Sequence, residues 1–529
     1  MNTSVSHSGH LKRHHGTLPI PKVTLTNTES KIRELLLSTA AHIQSAEPDQ
    51  PPLVLRIAGG WVRDKLLGKD SDDIDIAINS MKGEPFAHHL KAYMLSIGLT
   101  MSAVATIQVN PDKSKHLETA TARVFGHDID FVHLRTEIYD GDSRNPIVDF
   151  GTPLEDTLRR DITINAMFYN LHTGEIEDLS GKGLDDLSSG TIRTPLGPLK
   201  TFEDDPLRVL RVIRFATRFG YKIVPEILTA AADDLIKSAF IKKITRERIG
   251  AEMDKMLSGP DPVRAVKLIV DIGFYPLVFR MPSELSQLEE IDPQRAYLAN
   301  YILDLLYQSH QLPQIGLLQL PLSNQNYRNL HLAACMLPYH NQTFKLKNKE
   351  VSVVRHIVCN SIKLSNNDGD VAHALVNSYV LVRDIAVRNF AEVDSLDRMF
   401  VRELGARPIG ANWDLAVLMA LIHDLTNIAI SKEDTSSFSL KDDEAVKAIA
   451  MYSKLLNSIT FHQVHDAHAV KPLLDGKEIA ALLGIKPSPQ IGRYLYHVME
   501  WQLTHTHTTK EQCIEFLQAR FGNRRGDIN

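Results

Sequence analysis

Hydrophobic and polar positions follow two different periods along this 529-residue chain. Apolar side chains recur at helical spacing between residues 31 and 45, and a proline-rich break at 47–52 ends that stretch. Short β-branched and aliphatic runs then alternate with helical segments up to about residue 150, which predicts a small α+β or α/β unit. The predicted strands are 53–58, 73–78, 101–108, 119–124 and 128–132, and the predicted helices are 31–45, a short one that ends near 67, and 85–97.

Beyond about residue 200 the helical period dominates and strand patterns nearly disappear. The predicted fold class is therefore α+β, with a mixed-sheet head followed by an all-α neck, body and tail. The expected segments are 1–30 (a disordered arm or targeting segment), 31–192 (head), 193–290 (helical neck), 291–425 (helical body) and 426–529 (helical tail).

Composition and charge narrow the class of protein. A net charge of −5 argues against an overall basic coat for nucleic acid but permits a local basic face. Three scattered cysteines fit no zinc-binding spacing, and no run of about 18 apolar residues occurs, so we expect neither a zinc site nor a membrane span. Residues 1–28 contain no acid, three basic residues and four histidines, which fits a mitochondrial presequence or a disordered polar arm.

The clearest chemical signal is a pair of carboxylates, Asp73 and Asp75, around one residue of the β-branched run Ile74–Ile78. Side chains alternate along a strand, so both carboxylates point to the same face, roughly 7 Å apart. Carboxylates at this spacing hold one or two Mg²⁺ ions in enzymes that transfer phosphoryl groups. The pair therefore predicts a magnesium site and phosphoryl-transfer chemistry.

A glycine pair, Gly59-Gly60, lies between the preceding strand and a short helix that carries Arg63 and Asp64. Glycine there lets the backbone approach a ligand and leaves amides available to an anion at the helix start. A packing turn explains an isolated glycine pair equally well. The longer pattern, Gly-Gly-x-Val-Arg-Asp followed by Leu-Leu-Gly and Asp-Ile-Asp, is far more specific.

That longer pattern resembles the nucleotidyltransferase signature of the polymerase β superfamily, in particular its class II branch of tRNA CCA-adding enzymes and bacterial poly(A) polymerases. The resemblance implies that Asp73 and Asp75 bind catalytic metals. It also implies a third carboxylate on a neighbouring strand, for which Asp130 is the candidate and Asp128, on the same face, the rival. A solvated strand end is the alternative interpretation of Asp130.

The block Arg159–Met167 is similar to the family pattern Arg-Arg-Asp-Phe-Thr-x-Asn-Ala, with Ile162 in the phenylalanine position. Guanidinium groups suit phosphate oxygens, so we expect Arg160 to grip triphosphate. Asp161 and Asn165 lie four residues apart and would share a face if they were on one helix. The resemblance assigns this block to ribose and triphosphate binding, and helix capping by Asp161 is compatible with that role.

A fourth block, Asp204–Arg211, bears on the choice of base. We expect Asp205 and Arg208 on one helix face, where the carboxylate accepts from an exocyclic amine and the guanidinium donates to a ring acceptor. Cytosine and adenine offer that pattern, whereas uracil and guanine offer the reverse. The resemblance assigns this templating role, although Asp204 stands where the family has glutamate. A surface salt bridge is the alternative, and Arg211 continues a basic stripe toward the triphosphate.

Together these motifs imply a template-independent enzyme that adds C, C and A to tRNA 3′ ends from CTP and ATP with Mg²⁺, releasing pyrophosphate. The partners would be tRNA lacking part or all of its CCA end, CTP and ATP, and the tail would bind tRNA. Rival readings are a poly(A) polymerase with the same core, a non-catalytic RNA-binding protein, and a phosphohydrolase that uses His423 and Asp424, which we read as a helix-surface pair. We expect a cytoplasmic and nuclear enzyme, with mitochondrial import through residues 1–28 as a further possibility; the oligomeric state stays open.

Overall fold

The computed structural model divides the chain into two compact units. The first contains the described residues up to Asp205 together with Lys222–Ile227, and the second contains Pro206–Tyr221 and Leu228 onward. The structure describes residues 23–522 except for the short segments 101–103, 108–118, 139–146, 283–284, 286–290, 310–314, 317–320, 392–397, 406–408, 433, 487 and 506–507. Residues 110–116, a polar stretch between two predicted strands that we expect to form a loop, lie outside the described residues.

A seven-stranded mixed sheet forms the centre of the first unit, in the order β3-β4-β5-β2-β1-β8-β9. β2 and β5 pair in parallel, while the other neighbours in this sheet pair in antiparallel fashion. The strands are β1 (Leu55–Ala58), β2 (Ile74–Ile78), β3 (Ala105–Ile107), β4 (Thr119–Val124), β5 (His127–His133), β6 (Arg135–Ile138), β7 (Ile147–Phe150), β8 (Phe168–Asn170), β9 (Ile176–Glu177), β10 (Thr191–Ile192) and β11 (Lys222–Ile223). Outside the seven-stranded sheet, β6 pairs with β7, and β10 pairs in parallel with β11. The predicted α+β class with a mixed-sheet head is confirmed.

Six helices accompany this sheet: α1 (Asn27–Ala46), α2 (Gly60–Leu66), α3 (Gly83–Ser96), α4 (Pro153–Leu158), α5 (Gly183–Ser189) and α6 (Pro198–Asp204). Phe86 of α3 packs against Phe131 of β5, with ring centroids 5.4 Å apart. Because side chains alternate along a strand, the neighbour Asp130 points to the opposite face of the sheet. One face thus belongs to the hydrophobic core, and the other carries the acidic residues.

The N-terminal boundary differs from the expected one. Residues 27–30 belong to α1, although 1–30 was expected to be a disordered arm or targeting segment. Thr26 accepts from the backbone N–H of Glu29, and Glu29 accepts from the backbone N–H of Thr26, so a capping box starts the helix here. The first unit also extends past residue 192, because α6 belongs to it. The further division into neck, body and tail stays a prediction.

Helices dominate the second unit. They are α7 (Arg208–Phe219), α8 (Pro225–Ala231, which begins in the first unit), α9 (Asp234–Lys243), α10 (Arg246–Leu257), α11 (Pro262–Asp271), α12 (Tyr275–Val278) and α13 (Gln294–Gln308), followed by Asn324–Cys335, Val353–His356, Asn366–Asn377, Tyr379–Ala391, Arg398–Gly405, Asp414–Ile430, Asp443–Phe461, Gly476–Leu483, Ile491–Thr504 and Lys510–Phe521. The expectation of an all-α remainder missed one hairpin, β12 (Thr343–Leu346) with β13 (Lys349–Ser352). Its turn residues Lys347 and Asn348 both have positive φ, which matches the two-residue turn that hairpins favour.

One helical stretch, Gly410–Ile430, is long and apolar enough to cross a membrane by length and composition, contrary to the expectation that the sequence has no such run. However, 78% of its apolar window is buried inside the protein. A core helix of a helical domain has these properties, because it is apolar on all sides.

Gly83 determines how closely α3 approaches the strand that carries Asp130. A Cβ at this position would lie 2.0 Å from the Phe131 carbonyl oxygen, so helix and strand would have to separate. We expect Gly83→Ala to lower the free energy of unfolding by about 1–3 kcal/mol, measured by denaturant titration. Gly197→Ala is the matched control, because an added Cβ there meets nothing within 4 Å. Equal effects of the two substitutions would contradict this account of the packing.

Candidate active site

Two acidic side chains lie side by side on the open face of the sheet. Asp75 of β2 and Asp130 of β5 are register partners in the parallel pair. Neighbouring strands lie about 5 Å apart, so the two carboxylates project from adjacent positions toward the same side. Thr121 of β4, the next strand, donates its hydroxyl to Asp130 Oδ1 at 2.5 Å and fixes that side chain. The sheet therefore builds a carboxylate pair from residues 55 positions apart in sequence.

Asp73 and Asp128 flank this pair. Asp73 lies directly before β2 and is exposed, and its position two residues before Asp75 makes same-face projection natural. Asp128 is largely exposed, and one of its oxygens lies 3.8 Å from Arg123 of β4. Asp130 stands directly beside Asp75, whereas Asp128 has a cationic neighbour of its own. This geometry favours Asp130 over Asp128 as the third carboxylate, which stays a prediction.

The surroundings of Asp75 raise the pKa of its carboxyl group. Its carboxylate is open to solvent on one side and crowded by protein on the other. This loss of hydration is the main cause that raises its pKa to about 6. Arg160 acts in the opposite direction, and the negative charges of Asp130 and Asp73 raise the pKa further. Two anionic side chains, Asp130 and Asp73, and one cationic side chain, Arg160, thus surround the carboxylate of Asp75.

The two candidate third carboxylates make a matched test. We expect Asp130→Asn to reduce nucleotide incorporation by at least about a hundredfold, because it removes the carboxylate directly beside Asp75. Asp128→Asn should retain activity within about threefold, because that side chain faces Arg123 instead. Initial rates at saturating nucleotide measure both. The reverse order of effects would identify Asp128 as the third carboxylate.

The Gly-Gly turn provides space for a guanidinium group. Gly59 has φ +70°, a conformation that favours glycine, and its N–H donates to the Met167 carbonyl at 3.2 Å. A Cβ on Gly59 would lie 2.9 Å from a terminal nitrogen of Arg160. Gly60 begins α2, and a Cβ there would lie 3.4 Å from a terminal nitrogen of Arg63. The positive φ and the close approach of Arg160 therefore explain the glycine at position 59, whereas the contact at Gly60 is an ordinary van der Waals distance.

Arg63 is buried, with 3% of its surface exposed. Its guanidinium donates two bonds of 2.9 Å to the two oxygens of Asp64 and a third to Asn165 Oδ1. Asn165 in turn donates to Asp161 Oδ1 at 3.2 Å. This network joins the Gly-Gly motif to the block Arg159–Met167. It places Arg63 beneath the surface, where it supports the residues above.

The expected helix through Asp161 and Asn165 is wrong. α4 ends at Leu158, and only a single 3₁₀ turn, Thr163–Asn165, follows. Asp161 accepts from the backbone N–H of Ile162 at 2.9 Å, and no side chain caps the 3₁₀ turn. The two side chains still meet, because the compact turn folds Asn165 back onto Asp161. Both are buried, at 6% and 7% exposure.

The block Asp204–Arg211 also lacks the expected helical geometry. Asp205 has an extended conformation, with φ −141° and ψ 97°, and it ends α6, whereas α7 begins at Arg208. The residue before a proline avoids the helical region, and Pro206 follows Asp205. The helix-surface salt bridge offered as the alternative reading is therefore wrong as well. Asp204 forms an ion pair of 2.8 Å with Lys200 on α6, and Arg208 is buried.

A buried glutamate in the second unit, Glu252 of α10, was missed by sequence reasoning. It accepts from Arg214 Nε at 2.5 Å and lies 3.8 Å from Arg211. The basic stripe expected along α7 is therefore partly neutralised, and the Arg214 guanidinium also covers the Phe215 ring at 4.1 Å. No local sequence signal connects Glu252 to residues 38 positions away.

The pair His423-Asp424 is buried in the helical unit and is not on a helix surface, which corrects our interpretation. Asp424 accepts from the hydroxyls of Tyr379 and Tyr452 at 2.6 and 2.8 Å and from Arg383 Nε at 3.1 Å. Burial lowers the pKa of His423 to about 3, so its ring is neutral. Asp424 is thus occupied by donors from neighbouring helices, as a structural residue would be.

Metal binding can be tested against these residues. Among the described residues, no group of three or more histidine, cysteine or acidic side chains is assembled closely enough to hold a metal ion alone. Mg²⁺ in nucleotide-dependent enzymes is commonly held by one or two carboxylates, water and substrate phosphates. A divalent cation would also offset the part of the raised pKa of Asp75 that comes from the negative charges of Asp130 and Asp73. The chemistry of these carboxylates is that of ligands for a divalent cation that takes its other ligands from elsewhere.

Comparison with known proteins gives a consistent result. The Poly A polymerase head domain family matches residues 55–193, and the family described as the probable RNA and SrmB-binding site of polymerase A matches residues 220–286. The mitochondrial CCA tRNA nucleotidyltransferase of Saccharomyces cerevisiae is 38% identical to this chain, covering 95% of the chain and 94% of the yeast protein.

Solved structures share the fold. A CCA-adding enzyme in complex with ATP matches with a TM-score of 0.60 at 18% identity, covering 95% of this chain and 96% of that one. The Bacillus stearothermophilus CCA-adding enzyme in complex with CTP matches with a TM-score of 0.55 at 18% identity, covering 94% and 98%. With the carboxylate sheet, the ordered motifs and the extensive identity to the yeast enzyme, this chain belongs to the CCA tRNA nucleotidyltransferase family.

Proposed function

We propose that this enzyme adds C, C and A to the 3′ end of tRNA, using CTP and ATP and releasing pyrophosphate. The observation that carries the proposal is the register pairing of Asp75 with Asp130, with Asp73 before it, in a chain 38% identical to a yeast CCA tRNA nucleotidyltransferase. The relatives bound to CTP and to ATP support the same two nucleotides here. A poly(A) polymerase shares the head domain, but the full-length relatives favour CCA addition.

The reaction joins the tRNA 3′-hydroxyl to the α-phosphate of the incoming nucleotide. In-line attack forms the new phosphodiester bond and breaks the bond to pyrophosphate, and the proton of the hydroxyl passes to a nearby base or water. Mg²⁺ bound to these carboxylates would neutralise the charge of the attacking and leaving oxygens. Asp73 and Asp75 would hold the ion with Asp130 as the third carboxylate, and Arg160 would face the triphosphate, since a guanidinium fork matches phosphate oxygens.

Supporting roles follow from burial. Arg63, Asp161 and Asn165 form a hydrogen-bonded network beneath the surface, Gly59 leaves room for the Arg160 guanidinium, and Gly60 begins α2. We assign these residues to nucleotide binding, with Asp161 and Asn165 nearest the ribose. A buried network of this kind keeps a binding site in one conformation and lowers the entropy lost on binding.

We propose base selection as the role of Asp205 and Arg208, and triphosphate binding as the role of Arg211. In this proposal the carboxylate accepts from the exocyclic amine of cytosine or adenine, and the guanidinium donates to the adjacent ring nitrogen. Uracil and guanine would place a donor against the guanidinium and an acceptor against the carboxylate. Discrimination then comes from unpaired polar groups in the wrong complex, which is costly in a desolvated site.

We infer that tRNA is held by the helical part of the chain, with the tail at 426–529 gripping it away from the acceptor end. Part of this tail has a small hydrophobic core of its own, made by Leu474, Ile479, Val498, Cys513 and Leu517. An independent core allows such a segment to present a stable surface to RNA. The rival reading, a non-catalytic RNA-binding protein, would leave the carboxylate pair without a purpose.

The direct experiment supplies purified protein with tRNA that ends before CCA, and with each nucleotide alone and in mixtures. Sequenced products should show addition of two C residues from CTP and then one A that requires ATP. A long A tail would favour the poly(A) polymerase. Absence of incorporation would favour the RNA-binding protein.

For location we infer mitochondrial import, together with a cytoplasmic and nuclear pool. The yeast relative is named as mitochondrial, and residues 1–28 of this chain are free of acidic residues. Residues 1–22 lie outside the described residues. A fluorescent fusion of residues 1–28 should enter mitochondria, and a cytosolic signal from that fusion would contradict import through this segment.

A further inference from the structure

Asp156, a residue outside the motif positions assigned above, lies at the centre of the arginine block. It belongs to α4 and is 2% exposed. One oxygen, Oδ2, accepts from Arg160 at Nε and Nη2, at 3.0 and 2.8 Å. The other oxygen, Oδ1, accepts from Arg159, and Arg159 Nε lies 3.0 Å away. Each oxygen is thus committed to a different guanidinium.

The Arg160 guanidinium is enclosed on its other sides as well. Its Nη1 donates to the Asn165 carbonyl at 3.1 Å, and the group lies 5.2 Å from the Phe168 ring centroid. Gly59 lies on a further side, where a Cβ would lie 2.9 Å from Nη1, and 19% of the Arg160 side chain stays exposed. Three of its five N–H groups therefore have acceptors, and two have none among the described residues. Those two remain available to an incoming phosphate.

Beyond Asp156, further ion pairs of alternating charge lead away from Arg160. Arg159 Nη1 lies 3.2 Å from Glu137, and Arg135 Nε lies 2.6 Å from the same Glu137 oxygen. The series Arg160, Asp156, Arg159, Glu137, Arg135 alternates in sign and carries a net charge of +1. Because the charge of Asp156 is shared with Arg159, it does not cancel that of Arg160. The arrangement therefore fixes Arg160 in place and leaves a positive charge at the open end.

We propose that Asp156 is a positioning residue that holds the Arg160 guanidinium for the nucleotide triphosphate, while Arg159, Glu137 and Arg135 balance its charge. This proposal rests on the proposed function, because it takes Arg160 as a triphosphate contact. It predicts that the first arginine of the pair serves the fold and the second serves the substrate. Burial of Asp156 against two guanidinium groups is a strong constraint, since buried charge-assisted bonds are short and directional.

The test uses the full-length protein and measures the dissociation constant of CTP together with kcat and KM for CTP. Asp156→Asn keeps the shape and removes the charge, whereas Asp156→Glu keeps the charge that the buried arginines need and displaces it by one methylene. Both should weaken CTP binding about tenfold and raise KM more than they lower kcat. Glu177→Gln is the control, because it removes a comparable Arg56 ion pair of 2.6 Å in the same unit. It should leave CTP binding unchanged.

A double-mutant cycle separates positioning from a general loss of structure. Arg160→Ala should weaken CTP binding, and adding Asp156→Glu to it should weaken binding no further, because the two act through one contact. Additive losses, or unchanged CTP binding in a folded Asp156→Glu variant, would overturn the positioning role. If Arg160→Ala itself binds CTP normally, the proposed triphosphate contact fails, which is a different result. Thermal unfolding of each variant identifies any that lose the fold.

Discussion

Asp75→Ala should abolish nucleotide incorporation, with a loss on the order of 10³-fold or more, while tRNA binding survives. Asp75 is the inner member of the carboxylate pair, directly beside Asp130 in register. In the proposed mechanism, its removal would leave too few carboxylates to hold the ion that would neutralise charge at the transferring phosphate. Asp73→Ala should have a similar effect. Incorporation rates under single-turnover conditions and a filter-binding assay with tRNA measure the two properties separately.

Ser80→Ala provides a matched control for these substitutions. Ser80 follows the same strand but is exposed, and its hydroxyl contacts only Asn79 among the bonds of the described residues, at 3.2 Å. Its loss should change incorporation by less than about twofold. If Asp75→Ala retained more than a tenth of the rate, the carboxylate pair would not be the chemical centre.

Arg208→Ala should relax the choice of base, lowering the preference for CTP and ATP over UTP and GTP by about two orders of magnitude. The substitution affects the two groups of nucleotides in opposite ways. It removes a hydrogen-bond donor that matches cytosine and adenine, and it removes a donor that repels uracil and guanine. The preference is the ratio of kcat/KM values, measured with each nucleotide on the same tRNA.

Arg218→Ala is the control for that experiment. Arg218 lies on the same helix, near its exposed C-terminal end, and its guanidinium lies 5.1 Å from the Phe219 ring centroid. Its loss should leave the ratio of bases unchanged, whatever its effect on tRNA affinity. An unchanged CTP and ATP preference in Arg208→Ala would refute selection by this residue.

Short-range patterns predicted the strand β2 well. Alternation along a β-branched run was enough to place Asp73 and Asp75 on one side, and the structure has β2 at Ile74–Ile78. The identity of their neighbour was not accessible in the same way. Parallel pairing of β2 with β5 depends on the whole sheet order, so the sequence left Asp130 and Asp128 as alternatives.

Helical spacing was the less reliable guide around the arginine and base-selecting motifs. Pro206 would have indicated that Asp205 is extended, because a residue before proline avoids helical angles. Asp156 lies three residues before Arg159 and four before Arg160, which are the spacings of helical ion pairs. This spacing would have identified the two ion pairs that Asp156 forms with these arginines. Glu252 had no such signal, because its partners come from another helix.

We propose a division of labour between two motifs that lie far apart in the sequence, with catalysis at Asp75 and base choice at Arg208. It is tested most directly by kcat/KM for all four nucleotides in Asp75→Glu, a variant expected to keep residual activity, beside Arg208→Ala. Asp75→Glu should slow every nucleotide by a similar factor and preserve the ratio of CTP to UTP, whereas Arg208→Ala should collapse that ratio. A changed ratio in Asp75→Glu, or a preserved one in Arg208→Ala, would contradict the account.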